Sequence, residues 1–189
     1  MNVVMLQGHP DPATSHFCHA LAQAYAEGAT AAGVTVTEFR VADLDFPLLR
    51  TKDEFEGPVL PQLLPVQDAI RAAEHLLLVF PLWMGTLPAL FKGLLEQVMK
   101  PGFAVPADGS IGGLLGGRSA RLIVTMGMPA PAYRWWFGAH GVRNLERNVL
   151  RFAGLKPVRR TLIGSVEALA PARREAWLTQ MREFGSRAS

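Results

Sequence analysis

The stretch that decides the fold is HLLLVFPLWMGTLPALFKGLLEQVM, residues 75–99. Residues 76–80 are apolar without polar alternation, a pattern typical of a strand buried on both faces of a parallel sheet. Pro81 ends this strand. The loop 82–87 contains a glycine and lies between two prolines, which excludes regular structure there. A helix begins at the second proline, where a missing N–H costs nothing. The stretch is therefore a strand, an apolar loop and a helix.

The apolar loop should line a ligand site, because open α/β sheets bind ligands outside the carboxyl ends of their strands. It offers backbone N–H groups and the flat apolar side chains of Trp83 and Met84, but almost no charge. This lining suits a large planar heterocycle better than a phosphate or a sugar. Core packing is the alternative role for a Trp and a Met after a buried strand, and this segment alone does not separate the two.

Strands and helices alternate along the rest of the chain as well. Strands are predicted at residues 2–7, 34–40, 76–80, 121–125 and 157–164, and helices at residues 16–32, 63–73, 88–99, 142–153 and 170–184. Either Thr14 or Ser15 is expected to cap the first helix, and residues 42–62 are expected to form a long loop. This alternation predicts a single α/β domain over residues 1–189. It is a flavodoxin-like, doubly wound five-stranded parallel sheet, order 2-1-3-4-5, with helices on both faces.

Composition and charge exclude several classes of protein. The net charge is +3, but the arginines of the second half are spread out without a dense basic block, so nucleic-acid binding is not supported. Cys18 is the only cysteine, which rules out an internal disulfide. The longest uncharged run, residues 76–91, is shorter than the ~18 residues of a membrane-spanning helix. We therefore expect a cytoplasmic protein that is not integral to a membrane, with no bound metal.

Three loops converge at one edge of a sheet with this strand order: residues 9–15, 82–87 and 127–140. The first loop opens a helix whose free N–H groups attract phosphate, and His9, Ser15 and His16 can add side-chain contacts. Plain helix capping for Ser15 and a solvated loop position for His9 and His16 are the alternatives. Cys18 is expected to be a packed helix residue rather than a reactive thiol.

The third loop carries four aromatic side chains, Tyr133, Trp135, Trp136 and Phe137. So many aromatic residues in a short loop indicate a pocket wall, a subunit contact, or both. Tyr133 and His140 are the groups of this loop that could hydrogen-bond or donate a proton to a developing anion. The alternative for His140 is a helix N-terminal residue that is satisfied by local backbone.

Three blocks of the sequence resemble the NAD(P)H:quinone oxidoreductase family, flavodoxin-like flavoproteins that include DT-diaphorase. GHPDPATSHF, residues 8–17, resembles the family's A-H-P-x…S-x-F/A-N start. FPLWMGTLPALFKGLLEQVMKPGFAV, residues 80–105, resembles its F-P-L-x-W…P-A-x-L-K…E/D-x-V…G-F-A-Y block, the most specific of the three. Residues 125–141 resemble its T-T-G-G…Y…H-G segment. The resemblance covers nearly the whole chain.

This resemblance implies a tightly bound flavin, hydride transfer from NAD(P)H, and a homodimer with sites at the interface. The phosphate-bearing tail would lie along His9, Ser15, Phe17 and Cys18, the isoalloxazine at Pro81, Leu82, Trp83, Met84 and Gly85, and the other ring edge at Thr125, Gly127, Tyr133 and His140. Family members use Tyr and His there to steady negative charge on the reduced flavin. FMN is expected, with FAD as the alternative, because the chain lacks the C-terminal extension of the animal FAD enzymes.

The main hypothesis from the sequence is a flavin-dependent NAD(P)H oxidoreductase that passes a hydride to a quinone or a similar acceptor. The second is a flavin-loaded regulatory partner of a membrane transporter with little turnover, which the aromatic third loop favours. A flavodoxin-type electron carrier ranks last, because such carriers are usually acidic and have a T-x-T-G-x-T phosphate loop that this chain lacks.

Overall fold

The computed structural model describes residues 1–13 and 15–189 and contains a five-stranded sheet in the order β2-β1-β3-β4-β5. The strands are β1 Asn2–Gln7, β2 Thr35–Arg40, β3 His75–Pro81, β4 Ser119–Thr125 and β5 Val158–Ile163. Each neighbouring pair is parallel. The predicted flavodoxin-like fold and its strand order are confirmed. The strand order reverses between β1 and β3, which is where such sheets bind their ligands.

Helices cover both faces of this sheet. They are α1 Phe17–Ala31, α2 Lys52–Glu56, α3 Leu64–Ala72, α4 Ala89–Val98, α5 His140–Asn144 and α6 Pro171–Ser186. The segments Ala132–Trp136 and Leu145–Leu150 wind as π-helix. Among the residues that the structure describes, no helix combines the length and the apolar character that crossing a bilayer requires.

Alternate residues of the strands enter two separate cores, as a sheet covered on both faces requires. On β3, Leu76, Leu78 and Phe80 pack against the α3, α4 and α5 side, whereas Leu77 and Val79 pack against α1 and α6. Every residue of β3 is buried. Burying one such side chain contributes roughly 1.5–3 kcal/mol, so this strand anchors both layers and fixes where its carboxyl end lies.

Helices α1 and α6 cross backbone to backbone because glycines occupy the contact. A Cβ atom on Gly28 of α1 would lie 2.0 Å from the carbonyl oxygen of Arg182. A Cβ atom on Gly185 of α6 would lie 2.0 Å from the carbonyl oxygen of Tyr25. Backbone atoms cannot swing aside as the end of a side chain can, so the crossing accepts only glycine at these two positions.

The prediction that residues 42–62 form only a loop is wrong, because α2 lies within them. Thr51 caps this helix: its hydroxyl accepts a hydrogen bond from the backbone N–H of Glu54 at 3.2 Å, and the Glu54 carboxylate accepts one from the N–H of Thr51. A Thr followed three residues later by a Glu is the sequence signature of this capping box. The signal was present but was outweighed by the prolines around it.

The helix predicted at residues 142–153 is α5 followed by the π-helical segment Leu145–Leu150. The N–H of Arg151 donates to the carbonyl of Glu146 at 2.9 Å, five residues back instead of four. This wider turn rotates the following residues relative to a 3.6-residue period. Phe152, which follows this turn, is half exposed.

Candidate functional site

Hydrogen bonds tie together the carboxyl ends of β1, β3 and β4. The N–H of Gly8 donates to the carbonyl of Val79 at 2.8 Å, and the N–H of Leu82 donates to the carbonyl of Thr125 at 2.7 Å. The Cys18 thiol and the Thr125 hydroxyl lie 3.0 Å apart. The segments that follow these three strands therefore meet at one edge of the sheet, as the strand order predicted.

Residues 83–86, called the tryptophan turn below, form a tight two-residue turn. The N–H of Trp83 donates to the carbonyl of Thr86 at 2.9 Å, and the N–H of Thr86 donates back at 3.0 Å. Met84 and Gly85 have φ of +47° and +80°, the combination of a type I′ turn. The loop therefore contains no helix or strand, as predicted, but its centre is an ordered turn. Trp83 is 48% exposed and Met84 is fully exposed, which excludes core packing as their role.

Tyr133 and Gly141 hold the tryptophan turn in place. The Tyr133 hydroxyl donates to the carbonyl of Gly85 at 2.9 Å and accepts from the N–H of Val142 at 3.3 Å. A Cβ atom on Gly141 would lie 2.2 Å from the Gly85 carbonyl oxygen, so only glycine allows this approach. Burial raises the pKa of Tyr133, which keeps the hydroxyl protonated. Both hydrogen bonds of the Tyr133 hydroxyl are made to the backbone of the protein.

The third segment is helical and not a loop as predicted, because Ala132–Trp136 winds as π-helix. Three of its four aromatic side chains are exposed, Trp135 by 74%, Trp136 by 86% and Phe137 by 53%, whereas Tyr133 is buried. Exposed aromatic residues in such number mark a surface that contacts another molecule. The structure leaves both predicted roles, pocket wall and subunit contact, available to them.

His140 is the first residue of α5, and it follows Ala139, whose φ is +48°. Its side chain is exposed. The ring lies over Gly138, where a Cβ atom would come within 2.6 Å of Nε2. His140 is therefore a helix N-terminal residue, which was one of its two predicted roles. Its ring is accessible from solvent.

The loop after β1 is organised by a histidine segment, defined here as His9, Asp11 and His16. The rings of His9 and His16 stack with centroids 3.8 Å apart. Asp11 joins them, because its carboxylate lies 2.8 Å from His16 Nε2 and its N–H donates to His9 Nδ1 at 3.2 Å. Since Nδ1 of His9 accepts, the neutral ring carries its proton on Nε2. Burial, and then the neighbouring His16 and His19, lower the pKa of His9.

His19 is a site residue that the sequence interpretation missed. Its ring lies 5.4 Å from that of His9 and 5.7 Å from that of His16, edge to face in both cases. It is buried, and its Nδ1 has no hydrogen-bond partner among the described residues. Burial lowers its pKa. The available signal was its spacing, since residues three apart on a helix share a face.

The N-terminus of α1 lies beside these rings. Ser15 is exposed and does not occupy the cap position, which corrects the capping prediction; His16 does, without a side-chain hydrogen bond to the helix. Thr14, the other predicted cap, lies outside the described residues. The first turn of α1 carries no acidic side chain. An anion at this helix end would therefore meet a favourable dipole without a competing carboxylate in that turn.

Phe17 and Cys18 differ in accessibility. Phe17 is partly buried, with the Arg174 guanidinium 5.2 Å from its ring centroid. Cys18 is buried, and burial raises the pKa of its thiol to about 12. The thiol is therefore protonated at neutral pH, and it packs in the α1 core as expected for a structural cysteine.

Thr125 and Gly127 lie at the end of β4. Thr125 is buried, whereas Gly127 is exposed. A Cβ atom on Gly127 would lie 3.1 Å from Oε2 of Glu167. Glu167 therefore brings a carboxylate to this end of the site, a neighbour that the distance in sequence concealed.

These residues fit a flavin at the edge of the sheet. Trp83 and Met84 give a flat apolar surface, the tryptophan turn has no side-chain charge, and the α1 N-terminus with its histidines can receive a phosphate. The unpartnered Nδ1 of His19 is a buried polar atom that lies against this tail region. Among residues 1–13 and 15–189, no group of three or more His, Cys, Asp or Glu side chains is placed to hold a metal ion.

Comparison with known proteins agrees with the geometry. The family described as having a flavodoxin-like fold matches residues 1–184. An uncharacterized NAD(P)H oxidoreductase of Haemophilus influenzae is 26% identical over 185 residues, covering 94% of this chain and 91% of that protein. Mammalian quinone dehydrogenases also match, but the chain spans only 48% of the length of the rat protein.

Solved structures share the fold along the whole chain. An NAD(P)H:quinone oxidoreductase from Methanothermobacter marburgensis superposes with a TM-score of 0.81 at 21% identity, covering 100% of this chain and 96% of that one. An FMN-dependent NADH-azoreductase from Bacillus anthracis, in complex with FMN, gives a TM-score of 0.76 at 17% identity, covering 100% and 99%. This chain accordingly belongs to the family with the flavodoxin-like fold, and it is similar to an NAD(P)H oxidoreductase over nearly its whole length.

Proposed function

We propose that this protein is a flavin-dependent NAD(P)H oxidoreductase that passes a hydride from NAD(P)H, by way of a bound flavin, to a quinone or a similar acceptor. The tryptophan turn carries the proposal, because it is an exposed, flat and apolar surface held rigidly at the carboxyl end of the central strand. Membership of a family of NAD(P)H oxidoreductases supports it.

In this proposal the tryptophan turn receives the isoalloxazine ring. Trp83 and Met84 present the apolar surface, and Pro81, Leu82 and Gly85 give backbone contacts along the ring edge. A bound flavin supplies the redox chemistry, accepting a hydride from nicotinamide and passing it on. The chain's own part is to hold the isoalloxazine and nicotinamide rings at a fixed distance and to keep water out from between them. A turn fixed by hydrogen bonds provides a surface of constant position for this purpose.

The histidine segment and the α1 N-terminus hold the phosphate-bearing tail. His9 donates from Nε2, and Ser15 and His16 add polar contacts beside the free end of the helix dipole. Phe17 lines the path from tail to ring, whereas the buried side chain of Cys18 supports that path from within the core. FMN is the proposed flavin, since one helix end with adjacent histidines suits one terminal phosphate. FAD is the alternative.

Tyr133 and His140 act at the other ring edge together with Thr125 and Gly127. The Tyr133 hydroxyl is bonded to the tryptophan turn, so we assign it to holding the ring surface in position. His140 is exposed, so its ring could donate a hydrogen bond to negative charge on a flavin bound at this edge. The two residues named together from the sequence therefore have different proposed roles.

An anaerobic titration tests the proposal. Purified protein is loaded with FMN, freed of unbound flavin, and titrated separately with NADPH and with NADH while the flavin absorbance is recorded. Bleaching at a rate that supports turnover with a soluble quinone is expected. A flavin that stays oxidised with both coenzymes contradicts the oxidoreductase proposal, and failure to bind either FMN or FAD contradicts the site assignment.

We propose a homodimer as the working form. An apolar groove of about 250 Å³ lies between α4 and the π-helical segment Leu145–Leu150. Its lining includes Leu87, Leu95, Met99, Val149 and Phe152. A second copy would cover such a groove and the half-exposed Phe152. Light scattering coupled to size exclusion tests this: a mass of one chain at micromolar concentration contradicts it.

The second candidate is a flavin-loaded regulatory partner of a membrane transporter with little turnover. The exposure of Trp135, Trp136 and Phe137 favours it, because such a surface suits a protein contact. Slow bleaching together with recovery of one transporter from solubilised membranes would support this candidate. Fast turnover without any membrane partner supports the oxidoreductase instead.

A further inference from the structure

Four arginines and one glutamate line a surface groove of about 400 Å³ beside β5, called the arginine groove below. Its lining residues are Arg143, Glu146, Arg147, Arg151 and Arg160. The sequence shows these arginines spread over eighteen positions, so no dense basic block is visible. The helix that follows the third segment and the strand β5 bring them together.

The groove lies in the part of the chain where positive charge is concentrated. Residues 131–160 contain seven Lys and Arg residues but a single acid, Glu146, which gives this segment a formal charge of +6. The other residues of the chain together carry −3, because the whole chain carries +3. A concentrated positive field of this kind attracts anionic ligands.

Glu146 organises two of the arginines. Its carboxylate, largely buried, lies 2.6 Å from Arg151 Nη2 and 3.1 Å from Arg160 Nη1. The π-helical turn makes the first contact possible, since it stacks Arg151 directly over Glu146 five residues earlier. Arg143 and Arg147 are exposed and form no ion pair within residues 1–13 and 15–189. One carboxylate therefore faces four guanidinium groups, and three positive charges remain uncompensated.

The arginine groove is connected to the tryptophan turn. Arg160 also lines a neighbouring groove of about 290 Å³, together with Arg134 and the exposed ring of Trp135. Tyr133 lies two residues before Trp135 in the same π-helical segment, Ala132–Trp136. Tyr133 in turn bonds the tryptophan turn. A ligand with an aromatic group at the turn could therefore extend past Trp135 and place an anion in the groove.

Neither protection of a strand edge nor contact with a membrane accounts for the whole groove. Charged residues commonly protect an exposed edge strand such as β5 from pairing with another chain, which explains Arg159 and Arg160 but not Arg143 and Arg147 on the helix. An anionic membrane surface would suit Trp135 and the basic charge, but a membrane contacts a convex face, whereas these guanidinium groups line a concavity. A concave set of guanidinium forks matches a phosphate monoester, which they bind in bidentate geometry.

We propose that the arginine groove binds the 2′-phosphate of NADPH and makes the protein select NADPH over NADH. This inference rests on the proposed function, because it names the coenzyme of the same site. The phosphate is the only group that distinguishes the two coenzymes, and it is a dianion near neutral pH. Arg143 and Arg147 bind it, while Arg151 and Arg160, held by Glu146, fix the floor of the groove.

Coenzyme kinetics test the inference with the double variant Arg143→Gln, Arg147→Gln. In FMN-loaded protein, kcat/KM for NADPH should fall by at least about tenfold, since charged hydrogen bonds to the phosphate are lost, while kcat/KM for NADH changes by less than about twofold. Arg173→Gln is the matched control, because Arg173 is an exposed arginine on α6. Equal losses with both coenzymes, or no loss with either, overturn the inference.

Direct binding separates this inference from the proposed function. Calorimetry on FMN-loaded protein should show adenosine 2′,5′-bisphosphate binding at least about tenfold more tightly than adenosine 5′-monophosphate, with the difference abolished in the double variant. That result stands even if neither coenzyme bleaches the flavin. Equal affinity for the two nucleotides contradicts the inference. A second contradicting result combines vesicle binding with kinetics. If wild type sediments with phosphatidylcholine–phosphatidylglycerol vesicles, the double variant does not, and the wild-type enzyme shows no preference for NADPH over NADH, the groove is assigned to lipid.

Discussion

The tryptophan turn is held by backbone hydrogen bonds and by glycine packing, whereas the histidine segment is held by side chains that titrate. At the turn, the Gly85 carbonyl accepts the Tyr133 hydroxyl and touches the backbone at Gly141. At the histidine segment, Asp11 joins two stacked imidazole rings. The first end should therefore be insensitive to pH and intolerant of added atoms, and the second end should show the opposite behaviour.

The largest effect is expected from Gly141→Ala, which tests the packing half of this contrast. The new Cβ atom would meet the Gly85 carbonyl oxygen at 2.2 Å, so the turn or α5 must shift. We expect the free energy of unfolding to fall by about 1–3 kcal/mol or more and FMN affinity to fall at least about tenfold. Urea unfolding and flavin fluorescence titration measure both.

Gly116→Ala is the control for this substitution, because a Cβ atom there would meet nothing within 4 Å. It should leave stability and FMN affinity close to those of wild type. If Gly141→Ala behaves like Gly116→Ala, glycine packing does not hold the tryptophan turn in place. The expectation that this end of the site is intolerant of added atoms is then wrong.

Tyr133→Phe should have the next largest effect. Removing the hydroxyl leaves the Gly85 carbonyl and the Val142 N–H without their partner, which costs about 1–3 kcal/mol of stability. Tyr25→Phe is a matched control, since the buried hydroxyl of Tyr25 has no partner among the described residues. That control should be neutral or slightly stabilising. A stable Tyr133→Phe variant with slow hydride transfer would instead place the hydroxyl in the chemistry.

Acid should act on the histidine segment and spare the tryptophan turn. Burial holds the pKa of His9 and His19 below the usual 6.5, so the folded protein binds fewer protons than the unfolded chain. The free energy of unfolding is therefore unaffected by these two histidines above about pH 6.5. It decreases as the pH falls below that value, because the unfolded chain then takes up protons that the folded protein does not bind. His75, buried at the other end of β3 with a pKa of about 4, acts in the same direction.

His19→Asn should therefore lose less stability than wild type between about pH 7.5 and about pH 5.5, as measured by urea unfolding of the flavin-free protein. His75 is present in both proteins and cancels from the comparison. Tyr133→Phe should keep the full acid dependence of wild type. Identical pH dependence in His19→Asn and wild type would show that His19 does not contribute to the acid dependence of folding.

The smallest effect is expected from Ser15→Ala. Because Ser15 is exposed and is not the cap of α1, its removal should change stability by less than about 0.5 kcal/mol. Thr51→Ala removes a hydroxyl that does cap a helix and should cost about 1 kcal/mol. Thermal unfolding of the two variants side by side makes the comparison. A larger loss for Ser15→Ala would restore the capping role that the sequence suggested.

The fold was predictable from the sequence because its signals are local and strong. The unbroken apolar run of β3 and the regular alternation of strands and helices sufficed for strand order and for the edge where the loops meet. The tryptophan turn was placed, but its type I′ geometry was not anticipated, because a turn whose first central residue is Met84 lacks the usual Asn or Asp at that position.

Other features depend on tertiary contacts that no local pattern encodes. A π-helical turn leaves no mark in a 3.6-residue period, so the pairing of Arg151 with Glu146 was not anticipated. Glu167 approaches Gly127 across forty residues of sequence. The roles assigned to the flavin-contacting residues stay predictions, which flavin binding and coenzyme kinetics of the variants address.

Helices α1 and α6 touch backbone to backbone at Gly28 and Gly185. This contact acts as a pivot for α1, and it lies far from the N-terminus of α1, where the proposed phosphate site is. The helix rises about 16 Å from Gly28 to Phe17. A tilt of about 5° at the pivot would move the N-terminus by about 1.4 Å, which exceeds the roughly 0.5 Å within which a binding constellation must be held. A substitution in α6 could thus misalign the phosphate site at the far end of α1.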